Sequence, residues 1–407
     1  MTNALCTSLV LKVASRCNLN CTYCYMYNAG DITYLHQPKV MARQTVQAIC
    51  RAASEHCIRH RLQAFEFIFH GGEPLLAGQS FYRDFVRLAA GSFDPATRIR
   101  YSMQTNGVLL DESWCRLLAS LDIRIGISLD GDQETNDMHR KDHSGRGSYD
   151  HVVSGIRHVQ RHPVLNHSLG ILCVVDVHSR TSDIYENIKA LNIRQFNVLL
   201  PYGTHDAPPG ILQESIPGAT PYADWLIDLF DKWFQDEGRP AIPLFTRVMG
   251  LLLGLGSEFD YFGRGDIQYL VVETDGSIEP SGALKVCGNG FTKTGMDIGR
   301  YSLDDALATP LIRRYHRSHR RLPDKCRRCP LKEICGGGHL PTRYSRERGF
   351  DNPSFYCLDY MKLITYIQSR LWQILPSSVT GKLTRITFEQ MKKFHADYHS
   401  SRKVYEA

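Results

Sequence analysis

Six short β-rich runs, each separated from the next by a stretch of helical periodicity, restrict the first two hundred residues to one class of architecture. The runs are Ser8–Ala14, Phe65–His70, Ile99–Thr105, Ile123–Leu129, Ser168–Val175 and Gln195–Leu200. Between them the apolar positions recur at helical spacing, in Arg43–His56, Ser80–Ala90, Asp111–Leu121, Asp150–Gln160 and Ser182–Leu191. A helix between successive strands returns the chain parallel to itself, so the pattern predicts an α/β fold with a parallel sheet. A closed eight-fold barrel takes about 250 residues, whereas six units here occupy roughly 190. The expectation is a partial (β/α)6 TIM-like barrel with ligands at the carboxyl ends of its strands.

The chain has 407 residues, more than one common domain. A Pro/Gly-rich break at 201–218 closes the barrel, placed at 1–205. A helical bridging region is expected at 206–265 (Tyr222–Gln235, Leu244–Leu253). A small Cys-rich C-terminal extension follows at 266–375, with a strand at Tyr269–Glu273 and a helix at Asp359–Leu375. The remaining tail, 376–407, is polar and basic.

Composition removes several classes of function. With 43% hydrophobic and 22% charged residues the chain is globular rather than disordered. The net charge of +6 is mild for this length and does not by itself argue for nucleic acid, whose binders usually show a concentrated basic face. The longest apolar stretch, 248–256, is too short to span a membrane. The start, Met1-Thr2-Asn3-Ala4-Leu5, lacks the basic region of an export signal, so a soluble, cytoplasmic protein is expected. Thirteen cysteines in such a chain point to a metal or redox site rather than to disulfides. Cys6, Cys50, Cys57, Cys115 and Cys173 stand singly and read as buried apolar residues.

The other cysteines form two groups. Cys17, Cys21 and Cys24 follow the first strand at C-x3-C-x2-C spacing. Three thiolates on one tight loop can hold three irons of a [4Fe–4S] cube and leave the fourth open to a ligand. Structural zinc wants four ligands, and the nearest fourth candidates, His36 and Cys50, lie beyond a polar loop. The second group is Cys326, Cys329, Cys335 and Cys357; its four thiolates suit either zinc or a cluster.

With Tyr23 directly before the last cysteine of the triplet, and His70-Gly71-Gly72-Glu73-Pro74 ending the second strand, the sequence resembles the radical SAM superfamily. The resemblance implies that region 1–205 is the radical SAM core. It also implies that the triplet cluster binds S-adenosyl-L-methionine (SAM) and that the GGEP bend meets the SAM ammonium through backbone carbonyls and Glu73. Ser128 and Arg140 match the pair that binds the SAM carboxylate in related peptide-modifying enzymes, and Gln104 faces the ribose. Read alone, GGEP is equally a tight turn and Arg140 a solvated charge.

The second group resembles the SPASM extension of radical SAM enzymes that modify peptides and proteins, which implies an auxiliary [4Fe–4S] cluster in 266–375. Ser281 and His339 stand where the full SPASM pattern has further cysteines, and Cys287 lacks companions. Two clusters rather than three are therefore expected. Gly336–Ser345, Gly349–Pro353 and Val271–Pro280 are similar to the SPASM enzymes that form cyclophanes in ribosomal peptides. The resemblance then implies an oxidoreductase that crosslinks an aromatic ring to a side-chain β-carbon of a precursor peptide. Thioether bonding and formylglycine formation are the alternatives on the same scaffold, and a non-catalytic, zinc-stabilised interaction protein is the alternative of another class. The expected partners are the peptide and a flavodoxin- or ferredoxin-type one-electron reductant. With the cluster loop starting at position 17 there is no room for a fused leader-binding domain, so the leader is expected to meet the barrel surface, the basic C-terminal region or a separate protein.

Overall fold

The apolar run Leu9–Val13 forms β1 (Ser8–Ala14), and its near-continuous hydrophobicity has a topological cause. In the computed structural model, which describes residues 5–216, 218–256, 260–380 and 384–403, β1 has a parallel neighbour on each side. One is β2 (Ala64–Gly71); the other is β7 (Tyr269–Val272), 261 positions further along the sequence. A strand flanked on both edges and covered on both faces has little use for polar side chains. Met1–Ala4 and Pro217, used above for the export signal and the break, lie outside the described residues.

The remaining strands are β3 (Arg98–Thr105), β4 (Ile123–Ser128), β5 (Gly170–Val174), β6 (Gln195–Leu199) and β8 (Ile278–Glu279). They form one eight-stranded sheet in the order β6-β5-β4-β3-β2-β1-β7-β8. Every pairing is parallel except β7 with β8. The six-unit α/β partial barrel expected from the pattern is present. Its fifth strand begins at Gly170 rather than Ser168, because Pro163–Ser168 is a helix opened by proline at its first turn.

Strand alternation divides the sheet into two faces. Phe65, Phe67 and Phe69 point outward, Phe67 and Phe69 edge-on to Phe85 of the helix Gln79–Ser92. The opposite face, carrying Ile68, Ser102, Gln104, Arg124 and Asn197, lines an open pocket of about 270 Å³. Gly126 and Gly170 sit opposite each other on β4 and β5 and help keep it open. A Cβ at Gly126 would lie 2.5 Å from Gln104 Oε1.

The described residues fall into two compact units. The first takes residues up to 174, 187–199 and 268–316; the second takes 175–186, 200–267 and those after 316. In the second, the helix Pro221–Gln235 packs on the helix Cys357–Ile374, with Asp359 Oδ1 accepting the Ala223 N–H at 2.9 Å. The tail contains a further helix, Phe388–Lys403. Gln368 ties the segment before it through Thr384 O and Ile386 N, at 3.0 and 2.8 Å. Among the described residues no helix is long and apolar enough to cross a membrane.

Candidate functional site

The cysteine triplet occupies the turn that leaves the carboxyl end of β1, where a parallel sheet gathers its ligands. Its first half is pinned from outside. Asn20 N donates to Lys141 O at 2.7 Å, and Leu19 bridges Asp142. Cys17 Sγ lies 3.4 Å from Leu19 N and 3.7 Å from Asn106 Nδ2, donors suited to a thiolate. All three cysteines are half-buried.

The bend after β2 is built around Glu73. Its carboxylate accepts the Leu75 N–H at 2.9 Å, the Thr105 hydroxyl at 2.7 Å and the Asn106 N–H at 2.8 Å. Burial pushes Glu73 up to about 7 against these bonds. Glu73 is thus a clamp between the ends of β2 and β3, with three donors already on it. Glycine is required at 72, where a Cβ would lie 2.4 Å from Arg16 O. It is required at 71 as well, where φ is +142°. His70 Nδ1 accepts the Gly71 N–H at 2.8 Å and meets Lys12 Nζ at 3.3 Å; burial, then Lys12, pushes its pKa down to about 3.

The structure joins Tyr23 to Arg140. Arg140 is 6% exposed, so the solvated reading fails. Its Nη1 donates to the Tyr23 hydroxyl at 3.0 Å, and the Tyr23 hydroxyl donates to Asp130 Oδ2. Asp130 in turn accepts the Val174 N–H at 2.9 Å. The Arg140 Nε is buried without a hydrogen-bond partner, as an anionic ligand would require. Ser128 Oγ is bonded not to Arg140 but to Gln104 Nε2, at 2.9 Å, which places that pair on the inner face.

In the second unit, Cys326, Cys329, Cys335 and Cys357 line one cavity with Leu331, Met361 and Ile364. Four thiolates around one zinc at about 2.3 Å would sit roughly 3.8 Å apart. Among the described residues neither cysteine group brings three sulfurs within 4.8 Å of one another. Among the described residues only His56, His60 and Asp304 come that close. There the Cys6 N–H donates to His56 Nε2, leaving the ring proton on Nδ1, which faces Asp304 Oδ1 at 3.3 Å. A proton occupies the place a metal would need.

Ser281 caps the turn Gly282–Cys287 by accepting the Ala283 N–H, and contacts the Tyr269 hydroxyl at 3.2 Å. His339, in the other unit, is 1% exposed and stacked on Tyr261 at 4.6 Å. Both have structural employment that needs no metal. The sequence reading missed Asp130 and Lys12. Only Lys12 left a signal, a lone charge inside an apolar strand.

A model of the radical SAM superfamily matches residues 11–180. The cysteine-type anaerobic sulfatase-maturating enzyme of Clostridium perfringens is 27% identical over 379 residues, covering 89% of this chain and 97% of that one. That of Clostridium novyi is 30% identical over 280 residues, 67% and 72% of the two chains. Among solved structures, native anSMEcpe with bound AdoMet and Kp18Cys peptide superposes with a TM-score of 0.77 at 25% identity, over 90% of this chain and 98% of that one. Streptococcus suis SuiB bound to its precursor peptide SuiA shares the fold, with a TM-score of 0.56 at 17% identity over 87% of this chain and 76% of that one.

Proposed function

Because the chain belongs to the radical SAM superfamily and is an enzyme that modifies a peptide or protein, we propose that it oxidises one side chain of that substrate by two electrons, converting a Cys or Ser to formylglycine. The observation that carries this reading is the similarity to sulfatase-maturating enzymes along nearly the whole of both chains. The superfamily implies a [4Fe–4S] cluster and SAM, which when bound supply a 5′-deoxyadenosyl radical able to take a hydrogen atom from an unactivated carbon.

Each part of the site has a task in this reading. Cys17, Cys21 and Cys24 hold the cluster. The partnerless Nε of Arg140 faces the SAM carboxylate, with Tyr23 and Asp130 fixing the guanidinium. Carbonyls of the Gly71–Gly72 bend take the ammonium, and Glu73 keeps that bend in place. Gln104 and Ser128 meet the ribose. The pocket on the inner face receives the substrate side chain. Cys326, Cys329, Cys335 and Cys357 would hold a second cluster, which would supply an acceptor for the second electron.

Crosslinking of a precursor peptide is the second reading, and one observation favours it. Ser281 and His339 replace thiolates of the full SPASM pattern, so this chain departs from a three-cluster arrangement. The test uses anaerobically reconstituted enzyme, SAM, a one-electron reductant and three peptides, bearing Cys, Ser or an aromatic residue near an aliphatic one. An aldehyde trapped by hydrazine supports formylglycine. Loss of two hydrogens with no aldehyde supports the crosslink. Deoxyadenosine carrying no hydrogen from any peptide would sink both.

A further inference from the structure

Lys12 is the one ionisable side chain of β1, and strand geometry decides what it faces. It lies opposite His70 of β2 in the parallel register. Leu11 lies opposite Val272 of β7, which sets Glu273 beside Lys12 one residue further on. Val271 lies opposite Glu279 of β8. By alternation, His70, Lys12, Glu273 and Glu279 share the inner face with Gln104.

The partners of Lys12 are unusual for a buried ammonium. At 1% exposure, its Nζ meets the Tyr25 hydroxyl at 2.9 Å, His70 Nδ1 at 3.3 Å and Met26 Sδ at 3.5 Å. None is charged, since burial keeps His70 neutral, and none is one of the cluster cysteines. The Tyr25 ring, half-buried, immediately follows Cys24. Gly282 presses on both: a Cβ there would lie 3.2 Å from the Tyr25 oxygen and 3.5 Å from Lys12 Nζ. A buried amine capped by a half-buried phenol stands next to the cluster loop.

Behind it lies a charge cluster. Lys285 Nζ, itself buried, meets Asp31 at 3.1 Å, Glu273 at 3.3 Å and Glu279 at 3.5 Å; Lys293 reaches Glu279 at 3.2 Å. Three carboxylates face two ammonium groups, so the cluster is neutral only when Lys12 or a carboxylate holds one more proton. The four oxygens of Glu273 and Glu279 have no hydrogen-bond donor in good geometry. Burial, then Glu273, pushes Glu279 up, while burial pulls Lys12 down to about 8. The set can hold one exchangeable proton.

We propose that Lys12 takes up the proton released when the peptide is oxidised, receiving it through the Tyr25 hydroxyl. The inference rests on the oxidation reading but not on its branch. A hydrogen atom leaves the substrate carbon for the deoxyadenosyl carbon. The substrate radical then loses one electron to an oxidised iron–sulfur cluster and one proton to the Lys12 amine. The new bond is a carbon–heteroatom double bond for Cys or Ser, or a ring–carbon bond after rearomatisation for a crosslink.

The experiment compares Lys12→Met and Tyr25→Phe with the unmodified holoenzyme, using a peptide deuterated at the reacting carbon. Deuterium should still enter deoxyadenosine, while oxidised peptide per deoxyadenosine falls about 100-fold in Lys12→Met, the scale of a lost acid–base group. In the unmodified enzyme that ratio should fall as the pH drops below about 8 and Lys12 charges. The groups that set its titration are His70, Tyr25, Glu273, Glu279 and Lys285, with the Cys24 thiol beyond hydrogen-bond reach. A normal ratio in folded Lys12→Met overturns the proposal and leaves the oxidation reading standing. Should Lys12→Met not fold, a ratio that is flat with pH and unchanged in Tyr25→Phe overturns it equally. Absence of deuterium transfer in the unmodified enzyme instead removes the oxidation reading itself.

Discussion

Glu73 Oε2 accepts the backbone N–H of Asn106 at 2.8 Å, and the Asn106 side chain donates to Asn18 Oδ1 at 2.7 Å. Glu73 therefore supports the cluster loop at one remove. Glu73→Gln puts an NH2 group among three donors and should cost about 2–3 kcal/mol of stability. Chemical unfolding monitors that loss, and iron retention should fall with it. An unchanged midpoint would mean that the bend does not depend on the carboxylate.

Replacing Cys17, Cys21 and Cys24 together with Ala should abolish deoxyadenosine formation while iron at the other cysteine group remains. Iron analysis of the unmodified, reconstituted protein should give about eight per chain, four for each cube. About twelve would mean that Cys287 or His339 takes part in a third cluster.

Arg140→Ala should weaken SAM binding by roughly 1.5–3 kcal/mol, as for a charge-assisted hydrogen bond. It also removes the donor to the Tyr23 hydroxyl, so Tyr23→Phe is the needed companion. If both variants weaken SAM equally, Arg140 acts by holding the loop. If only Arg140→Ala does, it meets the carboxylate.

His339 gives a prediction on pH. Burial, with His319 nearby, pushes it down to about 4, against about 6.5 when unfolded. The native ring is neutral, and below pH 6.5 the unfolded chain binds the proton the folded one refuses. Stability should hold above pH 6.5 and decline as the pH falls toward 4, by about 3 kcal/mol in full. His339→Gln should flatten that slope in urea midpoints measured between pH 7.5 and 4.5; an unaltered slope would assign it to other groups.

The six barrel strands were readable because hydrophobic period and turn residues agree along them. The cysteine spacings were readable because thiolate chemistry tolerates few arrangements. What could not be read was who pairs with whom at a distance. Tyr269–Glu273 was recognisable as a strand, yet nothing local says that Ser8 pairs with Tyr269. The same blindness hid the Tyr23–Arg140 contact, which spans 117 positions. The helix Phe388–Lys403 was missed because its sequence is polar on nearly every side, leaving too weak an apolar stripe to announce it. The three donors that Glu73 gathers were likewise hidden, since a carboxylate in a motif does not reveal which groups fold over it.

The position of β1 inside the sheet has a consequence for how the protein comes into being. Its second neighbour is made late: Thr7 meets Gln268 across 261 positions. While the nascent chain is still short of that point, one edge of β1 stays unsatisfied and open to mispairing. Long-range parallel pairing of this kind is also slow to form. The turn bearing Cys17, Cys21 and Cys24 thus emerges from the ribosome early but gains its full foundation only after some two-thirds of the chain has been translated. If this turn holds the proposed cluster, its assembly would follow synthesis, and a nascent chain halted before β7 would expose three unprotected thiols on an unfinished sheet.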